Sequence, residues 1–195
     1  MKNTIVTIGR QYGSGGRLIG KQVARELGIA FYDKELITLT AEKSGFSEKV
    51  VAEAIKAKKS SFLYNLYLSK LELPLSDQIY ISQFQVIWDL AQQESCVIVG
   101  RCADHVLREH PNCAKVFIHA PLEHRVRRIR ERHPDMDGNM QPLVQKEDKQ
   151  RAAYYKHFTQ KKWGVAENYH LAVDSRVGEE QTTELIIHLV KGTFL

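Results

Sequence analysis

Residues 4–8, TIVTI, form an almost continuous β-branched run, the pattern of a strand buried on both faces. The next nine residues, GRQYGSGGR, hold four glycines and break the pattern. Ile19, Val23 and Leu27 then recur at i, i+4 and i+8, with Gly20 and Ala24 on the adjacent stripe. This predicts a helix that Gly28 closes. A short strand at 29–33 ends on Asp33, and 34–43 and 47–59 read as helices. Residues 61–73 are apolar and aromatic up to the break at Pro74, and Tyr80, Phe84, Ile87, Trp88 and Ala91 keep helical spacing within 77–94. CVIVG (96–100) and AKVFIHA (114–120) predict buried strands, with room for a short helix between them. Leu122, Val126 and Ile129 form the apolar stripe of a helix over 121–132, and a polar loop covers 133–139. A helix is predicted over 142–162, a last strand over 169–175 and a last helix over 179–191.

Strands alternating with helices predict an α/β fold with a parallel sheet and helices on both faces. The helical block at 34–94 is too long for one crossover and reads as an insertion overhanging the carboxyl edge of the sheet. A length of 195 residues suits one domain, residues 1–195, that needs no metal or disulfide staple. No apolar run approaches a membrane span, and the N-terminus lacks the pattern of a secretory signal. Cys96, Cys102 and Cys113 have no CxxC spacing, which points to reduced thiols in a cytoplasmic protein. The eight histidines show no metal-ligand spacing, so no metal site is assigned to protein side chains.

The net charge of +5 would admit a nucleic-acid partner if it were spread over the chain. It is not. Residues 123–132 carry +3 and residues 146–162 carry +4, leaving −2 elsewhere. A local cationic region favours a small polyanion over a nucleic acid.

Strand, glycine-rich turn and helix together make an anion site. Glycines permit positive φ, and N–H groups then converge at the positive end of the helix dipole. A ligand-free tight turn is the plainer alternative, and phosphate binding at Gly13, Ser14, Gly15, Gly16 and Arg17 is favoured over it. The loop departs from the G-x-x-x-x-G-K-[ST] form: with Gly15 as the second glycine, Gly16 stands at the lysine position and Arg17 at the hydroxyl position, and with Gly16 there instead, Arg17 replaces the lysine and Leu18 the hydroxyl residue. A guanidinium at Arg17 is the candidate replacement for the lysine, and Ser14 the candidate hydroxyl. A dinucleotide fingerprint fits poorly, because Leu18 occupies its third glycine position.

The opening TIVTIGRQYGSGGRLIGKQVARELGIAFYDKELI resembles the cytidylate kinase-like family. So, in the same order, do VIVGRCADHVL (97–107), KVFIHAPLEHRVRRIRER (115–132) and DKQRAAYYKHFTQKKWGVAENYHLAVDS (148–175). The resemblance covers nearly the whole chain. It implies a three-layer α/β/α P-loop kinase fold with a helical monophosphate-binding insertion (34–94) and a lid (133–162). It also implies transfer of the γ-phosphoryl of ATP to a nucleoside monophosphate, CMP or dCMP first, with Mg2+ carried on the ATP phosphates. Four features differ from the family pattern. The P-loop lysine is absent, Cys102 stands where Asp is usual, no Arg follows soon after Asp33, and the lid motif is thinned to Lys146, Asp148, Lys149 and Arg151.

Arg125, Arg128 and Arg132 fall within about 60° of one another on their helix, so one edge can present three guanidiniums to phosphate. Arg128 and Arg132 are the stronger candidates. Their alternative is a solvated helix with weak surface pairs. Arg101, at the end of a buried strand, is assigned to the acceptor phosphate, with Asp104 in the base or ribose site or pairing with Arg101. Asp33 contacts the acceptor, orients a magnesium-bound water, or caps the following helix. Asp148 and Arg151 either pair with each other or belong to the lid, where Arg151 reaches the transferring group. Ser175 and Arg176 follow the last strand, where the resemblance places adenine. The aromatic block Phe62, Tyr64, Tyr67 and Trp88 reads as core or dimer contact. The expected partners are thus ATP and a nucleoside monophosphate, with no nucleic acid and no membrane, in a monomer or homodimer. The alternatives are a non-catalytic nucleotide-binding or regulatory protein on the same fold, and a kinase for another small phosphate acceptor.

Overall fold

The structure is a computed structural model and describes residues 3–56, 74–134 and 138–193. The readings of Phe62, Tyr64 and Tyr67, of the end of the helix over 47–59 and of the middle of the polar loop lie outside these residues. The chain divides into two compact units, one of Met1–Asp33 with Ala91–Leu195 and one of Lys34–Leu90.

The larger unit is built on five parallel strands: β1 (Ile5–Arg10), β2 (Ala30–Tyr32), β3 (Cys96–Val99), β4 (Cys113–His119) and β5 (Leu171–Asp174). Their order across the sheet is β2-β3-β1-β4-β5. Among the described residues the helices are α1 (Gly16–Leu27), α2 (Glu35–Ser44), α3 (Glu48–Lys56), α4 (Leu75–Gln93), α5 (Ala103–Val106), α6 (Leu122–Arg132), α7 (Gln141–Thr159) and α8 (Glu179–Thr193).

One face of the sheet follows from strand alternation. Val6, Ile8, Val97, Val99, Ala114, Val116 and Ile118 pack with Ile19, Val23 and Ala24 of α1 and with Ile186 and Val190 of α8. Residues of the opposite parity, among them Ile5, Ile98, Cys96 and Cys113, are buried as well, so the sheet lies between helical layers. Phe117, on that second face, packs edge-on against Trp163 and beside Tyr169. The three cysteines are free and buried, and burial pushes the thiols of Cys96 and Cys113 up to about 12, which keeps them unreactive. The smaller unit packs Ala41, Val51 and Ile79 from α2, α3 and α4 into a core of its own.

Two element bounds differ from the sequence expectation in ways that bear on function. Strand β1 continues through Gly9 and Arg10, which pair with Phe117 and Ile118 of β4, so Arg10 belongs to the sheet rather than to the loop. Helix α7 stops at Thr159, because Gln160 takes a left-handed φ of 57° and caps it.

Candidate functional site

The loop after β1 turns back at Gly13 (φ 79°) and Gly15 (φ 83°), both in the left-handed region. A Cβ at Gly13 would lie 2.9 Å from the Arg125 carbonyl oxygen, and one at Gly15 would lie 2.7 Å from Arg128 Nη1. Both glycines therefore serve a close approach to α6. The hydrogen bonds of the described residues leave the N–H groups of Gly13, Gly15, Gly16 and Arg17 without a protein acceptor, at the start of α1. Ser14 is fully buried. Its hydroxyl donates to the Gln11 carbonyl at 2.9 Å, so this residue closes the loop and the expected ligand hydroxyl is turned away. Ser175 Oγ donates to the Ser14 carbonyl at 2.7 Å, joining the loop to the end of β5.

Helix α7 docks on the same loop. Asp148 accepts the Tyr12 N–H at 2.8 Å through Oδ1 and Arg125 Nη1 at 2.6 Å through Oδ2. Arg125 also donates to the Tyr12 carbonyl (3.0 Å) and the Ala120 carbonyl (2.9 Å) and is 6% exposed. Arg125 thus leaves the phosphate-facing stripe that spacing suggested and acts as a buried clamp, because the adjacent Ala120 carbonyl, the Tyr12 carbonyl and the Asp148 carboxylate converge on it. Asp148 is the carboxylate of that clamp rather than an exposed partner of Arg151. Arg151 Nη1 instead donates to the Arg10 carbonyl at 2.9 Å, and its guanidinium lies 5.4 Å from the centre of the Tyr12 ring. Burial lowers the Arg151 pKa.

Asp33 ends β2 with its carboxylate in an arginine fork. Oδ2 receives Arg17 Nε at 2.6 Å and Oδ1 faces Arg10 Nη2 at 3.4 Å. Gly100, Arg101 and Cys102 follow one another in left-handed conformation, with φ of 77°, 59° and 55°. Arg101 makes no ion pair among the described residues. Asp104 points elsewhere: it is buried and accepts the Tyr155 hydroxyl at 2.6 Å. That placement corrects the expected pair with Arg101. Burial raises the Asp104 pKa, and burial and the facing Asp104 charge raise that of Tyr155.

On the other side of the loop, Arg128 Nη1 lies 3.4 Å from Ser175 Oγ, and Arg128 and Arg132 share Glu179 at 3.7 Å and 2.7 Å. Arg176 pairs with Asp174 at 2.7 Å. A cavity of about 400 Å³ opens here, lined by His124, Arg127, Arg128, Glu131, Ser175 and Arg176. His124 and Arg127 were not singled out from sequence. The signal was present: residues 124, 127, 128 and 131 recur at i, i+3, i+4 and i+7 on one helix face. Among the described residues no three His, Cys, Asp or Glu gather as a metal-ligand set, and none of the helices is long and apolar enough to cross a membrane.

Residues 5–177 match the cytidylate kinase-like family. The chain belongs to this family. It is 24% identical over 194 residues to a cytidylate kinase of Methanosarcina barkeri (strain Fusaro / DSM 804), covering 90% of this chain and 99% of that protein. A solved structure of an uncharacterized protein from Eubacterium ventriosum ATCC 27560 is similar at TM-score 0.73 and 28% identity, over 97% of this chain and 99% of the other. A gluconokinase from Sinorhizobium meliloti 1021 (TM-score 0.59, 15% identity, 99% and 94% covered) has the same fold. So does a shikimate kinase from Bacteroides thetaiotaomicron (0.55, 15%, 96% and 98%). The fold of this family member is thus the three-layer α/β/α fold of kinases, and family and fold together support a phosphotransferase.

Proposed function

We propose that this member of the cytidylate kinase-like family is a cytoplasmic P-loop kinase, transferring the γ-phosphoryl of ATP to a nucleoside monophosphate, CMP or dCMP first. The observation that carries the reading is the loop at residues 13–17. The N–H groups of Gly13, Gly15, Gly16 and Arg17 have no protein acceptor among the described residues, and the side chains of Arg10, Arg17, Arg101, Arg128, Arg132 and Arg151 belong to the same part of the unit. Phosphoryl transfer asks a protein chiefly for positioning and for offsetting charge.

In this reading Gly13, Gly15, Gly16 and Arg17 cradle the ATP phosphates through their N–H groups. Adenosine enters the cavity between the His124–Glu131 face of α6 and Ser175–Arg176. Arg128 and Arg132 exchange part of their hold on Glu179 for phosphate oxygens. Arg101 takes the acceptor phosphate, and Asp33 holds Arg17 in place and faces the acceptor. Mg2+ arrives on the ATP phosphates. An oxygen of the acceptor phosphate attacks the γ-phosphorus, the bond to the β–γ bridging oxygen breaks, and the electron pair leaves on ADP. Arg151 bears on the transferring group from α7. The family and the 24%-identical cytidylate kinase support CMP as the first acceptor to test.

The test is ADP release from MgATP in a coupled assay against a panel of nucleoside monophosphates. The expected outcome is turnover that requires a monophosphate and is fastest with CMP or dCMP. Gly16 at the lysine position supports one rival, a nucleotide-binding protein without turnover. That rival predicts ATP-induced thermal stabilisation and no ADP with any acceptor.

A further inference from the structure

The missing lysine leaves a question of charge at the loop, and the side chain of Arg10 answers it. At Gly16, a Cβ would lie 2.7 Å from Arg10 Cβ and 3.1 Å from Arg10 Cγ. At Gly100, at the end of the neighbouring strand β3, a Cβ would overlap Arg10 Nη1. Two glycines, one at the start of α1 and one after β3, therefore leave a passage that the Arg10 side chain fills. No side chain at position 16 fits beside it without a shift, so the absence of lysine there and the presence of arginine at position 10 are one packing arrangement.

The backbone of Arg10 is fixed. It pairs with Ile118 in the ladder with β4, and its carbonyl accepts Arg151 Nη1 at 2.9 Å. Its guanidinium is only loosely held, at 3.4 Å from Asp33, while Arg17 has the shorter contact with that carboxylate at 2.6 Å. Arg17, Arg101 and Arg151 all act on Arg10 as like charges, and Asp33 is the carboxylate that opposes them. Arg151 is opposed by Asp148 and Glu147 in its turn, and a cluster of four guanidiniums in which Arg10 has only the shared Asp33 is satisfied by an incoming anion of several charges. Burial and these neighbours bring the Arg10 pKa down to about 9, so the group stays charged at neutral pH.

We infer that Arg10 takes over the task of the absent loop lysine, binding the terminal phosphates of a polyphosphate from the end of β1. The inference rests on the phosphate-cradle reading of the loop and assigns that reading its missing cation. Arginine in place of lysine substitutes a planar two-pronged donor for a point charge.

Titration calorimetry with MgATP, AMP and inorganic tripolyphosphate tests it on the wild type, Arg10→Met, Arg10→Lys and the double variant Arg10→Gly/Gly16→Lys, in which the Cβ that crowds position 16 is removed as well. Losing a charged donor to phosphate weakens binding of ATP and of tripolyphosphate by roughly 10- to 100-fold. AMP, held through the adenosine cavity, keeps its affinity. The double variant, with the passage cleared for a lysine at position 16, recovers tripolyphosphate affinity relative to Arg10→Met. If Arg10→Met does not fold, Arg10→Lys carries the test through a smaller loss of the same sign. Folded Arg10 variants that bind both polyphosphates as the wild type does would overturn the assignment and leave the kinase reading standing. A wild type that binds tripolyphosphate but not ATP overturns the nucleotide reading instead, and the same variants still decide Arg10. A wild type that binds neither overturns both.

Discussion

Arg125 shows how far spacing alone can describe a side chain. On a helical wheel it shares an edge with Arg128 and Arg132, yet it is the one turned inward, because the carbonyls of Tyr12 and Ala120 and the carboxylate of Asp148 converge on it. Those acceptors come from three separate stretches of chain, and helical angle carries no record of them. Its side chain is 7% exposed and that of Asp148 16%, so the pair is desolvated. Replacing Arg125 with Met strands the Asp148 carboxylate and costs about 3–5 kcal/mol of stability, measured by chemical denaturation. Lysine is expected to rescue little, since a point charge cannot reach three acceptors in a planar fork. Asp104 gives a second test with a pH signature. Its pKa is raised by burial, so the folded state holds the proton more tightly than the unfolded state. Stability from this group is full in acid and is lost as pH rises from the ordinary carboxylate range through the raised value. Asp104→Asn keeps an acceptor for Tyr155 and removes the titration. The stability of the variant relative to wild type is therefore expected to increase with pH across that window and then level off. A difference that stays constant with pH would contradict the assignment.

At the scale of elements, most of the fold was legible because its periods are strong. The β-branched runs of β1, β3 and β4 and the 3.6-residue stripes of α1 and α6 reappear as the buried faces of one sheet and its flanking helices. What periodicity lost are the ends that matter chemically. Gly9 and Arg10 carry no strand signal of their own and continue β1 only because β4 offers them partners. Helix α6 shows the same limit on its polar side. The apolar stripe of Leu122, Val126 and Ile129 was readable, but what the opposite face meets depends on where β5 ends. That face, His124, Arg127, Arg128 and Glu131, lines the cavity with Ser175 and Arg176. Arg128 lies between the cavity and the loop, against Ser175 and Glu179. Truncating it to Ala is expected to raise the KM for ATP about tenfold, equal to ~1.4 kcal/mol, and to leave the KM for CMP unchanged. Arg130, exposed on another face and bonded at 3.4 Å to the Gly138 carbonyl, serves as the control. Equal effects from the two variants would show that α6 contributes general charge rather than a defined contact.

For the molecule as a whole, the net charge of +5 understates the local field. Arg10 and Arg17 share Asp33, Arg128 and Arg132 share Glu179, and Arg125 is matched by Asp148. Arg101 makes no ion pair among the described residues, and Arg151 donates to a carbonyl. Seven arginines thus meet four carboxylates around one loop, Asp33, Glu147, Asp148 and Glu179, and the folded state carries the excess positive charge until a polyanion relieves it. A ligand that does so binds the native state alone and stabilises it by about 2.7 kcal/mol at one hundred times its Kd. At roughly 2–4 °C per kcal/mol for a chain of this size, MgATP is expected to raise the Tm by about 5–11 °C. Because the interaction is between charges that solvent reaches in part, the gain is expected to shrink as KCl rises from 0.05 to about 0.5 M, where screening acts over a few ångströms. Adenosine, which lacks the phosphates, is expected to give a small shift that salt does not alter. Scanning calorimetry with both ligands at both salt concentrations separates the contributions: a large ATP shift indifferent to salt would mean that the cavity and not the arginine cluster supplies the affinity.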